Sequence, residues 1–146
     1  MALNDLSVGG VGALPVGRDG LVFLLKNSID CAENAQGAGD IAKIIRIPAG
    51  TWVLEVQARV KTAEGGTLTI DVGDYLESNN SAVDADGYMN DVDANAVASY
   101  SNKRTGTPAF AAGKLYTVDS YLGVLFNNAA DAALIEVHVL CADCNA

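Results

Sequence analysis

Four aspartates, Asp84, Asp86, Asp91 and Asp93, crowd the stretch SAVDADGYMNDVDANA, which contains no basic residue. They form two D-x-D pairs, the opening of a calcium loop. A loop of the EF-hand type needs oxygen ligands at positions one, three and five, Gly at six and a bidentate Glu at twelve. Counting from Asp91, the ligand positions fall on Asp91, Asp93 and Asn95. Position six is Ala96 and position twelve is Asn102. Counting from Asp84, position five is Tyr88, which is no calcium ligand. Asp91, Asp93 and Asn95 are thus the calcium candidates of an incomplete motif, and the expectation is that no metal is bound. Asp and Asn also cap helices and accept hydrogen bonds from turn N–H groups. That role is assigned to these carboxylates, with Asp84 or Asp86 capping a turn that begins near Gly87.

A second constellation is HVLCADC, residues 138–144. A C-x2-C beside a histidine suggests zinc. On a strand, however, His138 and Cys141 point to opposite faces, and Cys31 is the only other cysteine. Cys141–Cys144 and Cys31–Cys141 disulfides both stay open, as does a buried Cys141 acting as a small hydrophobe. An odd cysteine count gives no closed disulfide framework and suits a reducing compartment. His138 is the only histidine, and no nucleophile elbow or phosphate-binding glycine loop is present. A glycosidase would need two placed carboxylates, and no pair stands out. Catalytic residues and cofactors are therefore expected to be none.

The elements that position these residues read as strands. The chain has 146 residues, half of them apolar but only 6% aromatic, and a net charge of −9. Such a surface repels phosphate backbones, so nucleic acid is not an expected partner. No apolar run approaches a membrane span, and the start has no secretory signal pattern. LVFLLK (21–26) reads as a short buried strand and IAKIIRI (41–47) as another, ended by Pro48. TWVLEVQARVK alternates, placing Trp52, Leu54, Val56, Ala58 and Val60 inward. TLTIDVGD alternates with Leu68, Ile70 and Val72 inward. The two are expected to pair as a hairpin across Gly65 and Gly66. Trp52 is expected in the core.

KLYTVDSYLGVLF (114–126) and LIEVHVLCA (134–142) are expected to form a second hairpin, with Ile135, Val137, Val139 and Cys141 inward. Tyr88, Met89, Val92 and Ala96 recur at near-helical spacing, which predicts a short helical turn near 87–96. Residues 1–20 are Gly-rich, carry Pro15 and read as an extended N-terminal arm that packs on the body or on a neighbouring subunit. Residues 21–146 read as one β-sandwich domain. The fold class expected is all-β, an antiparallel β-sandwich or jelly roll.

The set IPAGTWVLEVQARVKTAEGGTLTIDVGD followed by DADGYMNDVDANA resembles small tailed-bacteriophage virion proteins that decorate or cement capsids. It covers roughly residues 40–100. The resemblance implies a non-enzymatic structural protein on the capsid surface of the virion, made in the host cytoplasm. Its implied partners are the major capsid protein and itself, as a homotrimer. With this reading, the arm residues Leu3, Leu6, Val8, Val11 and Leu14 become contact candidates. The alternative is a tail or fibre module that binds host glycans through loops of residues 75–113, using Tyr88 or Tyr100. Between Lys61 and Lys103 lie eight acidic residues and no basic one. Which surface, if any, meets this acidic edge is left to the structure.

Overall fold

The computed structural model describes residues 21–144. The arm and its contact candidates Leu3, Leu6, Val8, Val11 and Leu14 lie outside the described residues.

Among the described residues nine strands carry the fold: β1 (Val22–Asp30), β2 (Ile41–Ile47), β3 (Thr51–Thr62), β4 (Thr69–Leu76), β5 (Ala82–Asp93), β6 (Ala98–Ser101), β7 (Lys114–Leu115), β8 (Ser120–Phe126) and β9 (Leu134–Asp143). Two single-turn helices, α1 (Asn102–Thr105) and α2 (Pro108–Ala111), interrupt them. One sheet has the order β1-β9-β3-β6, with β7 also pairing β3; the other runs β2-β8-β4-β5. Every pairing is antiparallel. The protein is thus all-β, a sandwich of the jelly-roll kind, as its alternating segments predict.

Aliphatic side chains from both inner faces fill the space between the sheets. Val53, Val56, Ala58 and Val60 of β3 and Ile135, Val137, Val139 and Cys141 of β9 meet Ile70 and Val72 of β4 and Leu122, Val124 and Phe126 of β8. Each fully buried Val, Leu or Ile contributes on the order of 1.5–3 kcal/mol relative to exposure.

Several expectations fail for identifiable reasons. Neither hairpin forms. β3 and β4 lie in opposite sheets, and so do β8 and β9. The turns at Gly65–Gly66 and in residues 127–133 therefore carry the chain from one layer to the other. Glu64 ties these two crossings together by accepting the N–H groups of Asp131, Ala132 and Ala133 at 2.8–3.0 Å. Burial opposes its charge, yet those three N–H donors hold its carboxyl below the usual range. Residues 114–126 are likewise two strands in different sheets.

Trp52 is exposed rather than in the core. The pairing of β3 with β9 slips between Val53 and Glu55, and a bulge of this kind reverses the inside–outside parity of what precedes it. Val53 takes the inward place. β1 is an edge strand: Val22 and Leu24 are exposed, while Phe23 and Leu25 pack on the core.

The expected helical turn at 87–96 is a strand. β5 spans Ala82–Asp93, and its pairing with β4 shifts register three times. Those irregularities bury the neighbours Tyr88 and Met89 together and mimic helical spacing. Asp84 and Asp86 accordingly cap no turn near Gly87. The helical turns come later. Ser101 caps α1 by accepting the N–H of Lys103 at 3.2 Å. Buried Asn102 then bridges α1 to the sheet: its Oδ1 accepts the N–H of Val56 at 2.9 Å, and its Nδ2 donates to the Phe110 carbonyl at 2.7 Å.

Candidate functional site: an acidic edge and a basic sheet face

β5 is the outer strand of its sheet, so the acidic stretch forms an edge of the molecule. The calcium candidates are each engaged in separate hydrogen bonds. Asp91 sits at φ 50°, and its N–H donates to Asp71 Oδ1 at 2.6 Å. Its own Oδ1 accepts from Asn127 Nδ2 at 2.9 Å and from Thr69 Oγ1 at 3.3 Å. Asp93 Oδ1 accepts the Asn95 N–H at 2.7 Å, an Asx turn. Asn95 Oδ1 accepts the Leu68 N–H at 2.6 Å. Among the described residues no group of three or more His, Cys, Asp or Glu is placed to hold a metal ion.

Asp84 and Asp86 are half-buried. Burial, and next the hydrogen bond with Asp86, push the Asp84 carboxyl above the usual carboxylate range. None of these four aspartates is within ion-pair distance of a Lys or Arg among the described residues.

Beneath this edge lies a buried polar cluster. Asp74 is fully buried between the sheets. Lys114 reaches in from β7 to pair with it, and the Asp84 N–H donates to its other oxygen at 3.1 Å. The Lys114 ammonium lies 4.5 Å from the Phe110 ring centre and 5.1 Å from that of Tyr116. Tyr116 and Tyr88 share a hydroxyl–hydroxyl bond of 2.8 Å. Burial drives both phenols far above their ordinary range. Phe110 packs edge-on against Tyr88 at 4.7 Å and leaves no room beside Gly87, where a Cβ would lie 2.6 Å from its ring. Everything here has a partner, so the cluster joins two layers and presents no open site. A signal for it was present: Leu68, Ile70 and Val72 define an inward series whose next member is Asp74.

The outer face of the other sheet carries the opposite charge. Glu136 is buried among side chains from three strands. Its carboxylate lies 3.2 Å from Lys26 Nζ, 3.6 Å from Lys61 Nζ and 3.7 Å from Arg59 Nη1. His138 Nε2 lies 2.5 Å from Oε1. The His138 hydrogen bond, followed by Lys26, outweighs desolvation and holds the Glu136 carboxyl down at about 2. Three permanent cations share one carboxylate, so the patch keeps surplus positive charge in a protein of net −9. Only the His138–Glu136 spacing was visible in sequence. Lys26 and Arg59 join them through cross-strand register.

Cys31 and Cys141 are buried, and Cys144 is exposed. All three are free thiols, which closes the two disulfide pairings left open. Burial raises Cys31 to about 11 and Cys141 to about 12. Cys141 points into the core while His138 faces outward, so the zinc reading fails on geometry.

No family model matches the chain, and no curated protein does. Solved structures do. One similar chain belongs to the capsid of Ralstonia phage GP4, with TM-score 0.66 and 19% identity, covering 90% of this chain and 91% of that one. The fold is shared with phage capsid chains. A chain of the acid-stable capsid of Helicobacter pylori bacteriophage KHP30 matches at TM-score 0.58 and 15% identity, over 85% and 89% of the two chains. A chain of the cyanophage Pam1 capsid matches at TM-score 0.54 and 22% identity, over 89% and 90%.

Proposed function

We propose that this chain is a non-enzymatic bacteriophage virion protein of the decoration or cement type. It binds the outer surface of an assembled capsid and stabilises the contacts between capsomers, working as a homotrimer beside the major capsid protein. The observation that carries this reading is the near full-length match, in both directions, to chains of three phage capsids.

The glycan-binding alternative loses support from the structure. Tyr88, one of its two aromatic candidates, is fully buried. The other, Tyr100, is half-buried and donates its hydroxyl to the Asp93 carbonyl at 2.7 Å.

The test is add-back. Shells of the encoding phage, prepared without this protein, are titrated with the purified full-length chain. Saturable binding that raises the temperature of shell rupture supports the cement role. Shells that bind nothing, or bind without gaining stability, overturn it.

A further inference from the structure

The outer face of the β1-β9-β3-β6 sheet has nothing covering it among the described residues. It is organised in cross-strand rows. Val22, Ala142, Trp52 and Leu115 lie in register across four strands. Leu24 and Leu140 form the next row, and Lys26 and His138 the one after. Leu24 is 59% exposed and Trp52 42%. A shallow depression lined by Leu24, Leu140, Glu55, Gln57 and His138 separates the apolar end from the basic one. The face is therefore apolar at one end and basic at the other.

The acidic edge is its counterpart. Asp91 and Asp93 are exposed and have no basic partner among the described residues. Further along the same strand Val83, 54% exposed, adds an apolar side chain beside Asp84. Backbone pairing along this edge is disfavoured. Three register shifts and the left-handed Asp91 disrupt the ladder, the usual way an edge strand avoids sheet extension. Side chains are what it can offer a partner.

We infer that the basic–apolar outer sheet face of one copy docks the acidic β5 edge of a second copy. Charge decides the arrangement. Two basic faces repel, and so do two acidic edges, so like-to-like pairing is disfavoured. Face against edge attracts. A contact between two different patches is heterologous, and it closes into a ring when the rotation allows. Trp52 and Leu24 supply the apolar anchors of the kind that dominate interfaces, and the charges supply orientation. This inference deepens the self-association part of the proposed function and is independent of shell binding.

The experiment is sedimentation of the full-length protein at two ionic strengths. Self-association at low salt that weakens at high salt is expected, because exposed charges are screened. Asp91→Asn with Asp93→Asn, and separately Lys26→Gln with Lys61→Gln, should each weaken association about tenfold. Asn tolerates the left-handed backbone at 91, so the edge variant keeps its fold. Leu24→Ser probes the face without touching the Glu136 network and should weaken association as well.

The combined edge-and-face variant should lose less than the sum of its parts, since the two surfaces meet each other. Circular dichroism checks that each variant is folded. A monomer at low salt, insensitivity to the edge variant, or strict additivity overturns the inference. Loss of these effects with shell binding intact would leave the cement reading standing.

Discussion

Glu136 and Asp84 are carboxylates with opposite effects on stability. Glu136 titrates at about 2 in the folded protein, below its unfolded value. Its stabilisation is complete above the unfolded carboxylate range and is lost as pH falls towards 2. Asp84 titrates above its ordinary value because of burial and then Asp86. Its ionisation opposes folding, so its effect grows as pH rises through the raised value. Urea midpoints at pH 7, 4 and 2.5 should separate them. Glu136→Gln should lower stability at pH 7 and flatten the acid limb. Asp84→Asn should hold or raise stability at pH 7, with its advantage gone at low pH. The buried pair gives a larger effect. Lys114→Met leaves Asp74 without its cation, and breaking such a pair costs about 3–5 kcal/mol. Asp74→Asn combined with Lys114→Met should recover much of that loss in the same denaturation assay.

Close approach of strands sets the tolerances of the elements. A Cβ at Gly73 would lie 2.1 Å from the Asp84 carbonyl oxygen, where β5 crosses tightly over β4. Gly73→Ala should cost about 3 kcal/mol or more, because backbone rather than a movable side chain is in the way. Gly66→Ala faces open space and should leave the urea midpoint nearly unchanged. Alternation made several strands legible: Leu68, Ile70 and Val72 in β4, and Ile135 to Cys141 in β9, are inward as their period of two predicts. Alternation fails where the ladder slips. One bulge in β3 turns Trp52 outward, and three shifts in β5 bury Tyr88 beside Met89 and imitate a helix. Partner choice was not legible either. Gly65–Gly66 is a good turn signal, but a turn says nothing about whether the next strand stays in the same layer. The Glu136 cluster was hidden for the same reason, since Lys26, Arg59 and Glu136 meet only through register.

At the scale of the whole molecule, charge and fold point the same way. The protein carries net −9, yet Lys26, Arg59 and Lys61 gather on one sheet face and the unpaired aspartates on one edge. A chain designed only for solubility would intersperse the two signs. Segregation gives the molecule directed surfaces. The proposed function puts this sandwich on the capsid surface. A cryo-electron microscopy map of purified virions of the encoding phage tests it most directly. Two-layered β density on the outer shell surface, between capsomers and repeated over the whole capsid, is the predicted result. A shell without that density, or density confined to the tail, would contradict the claim.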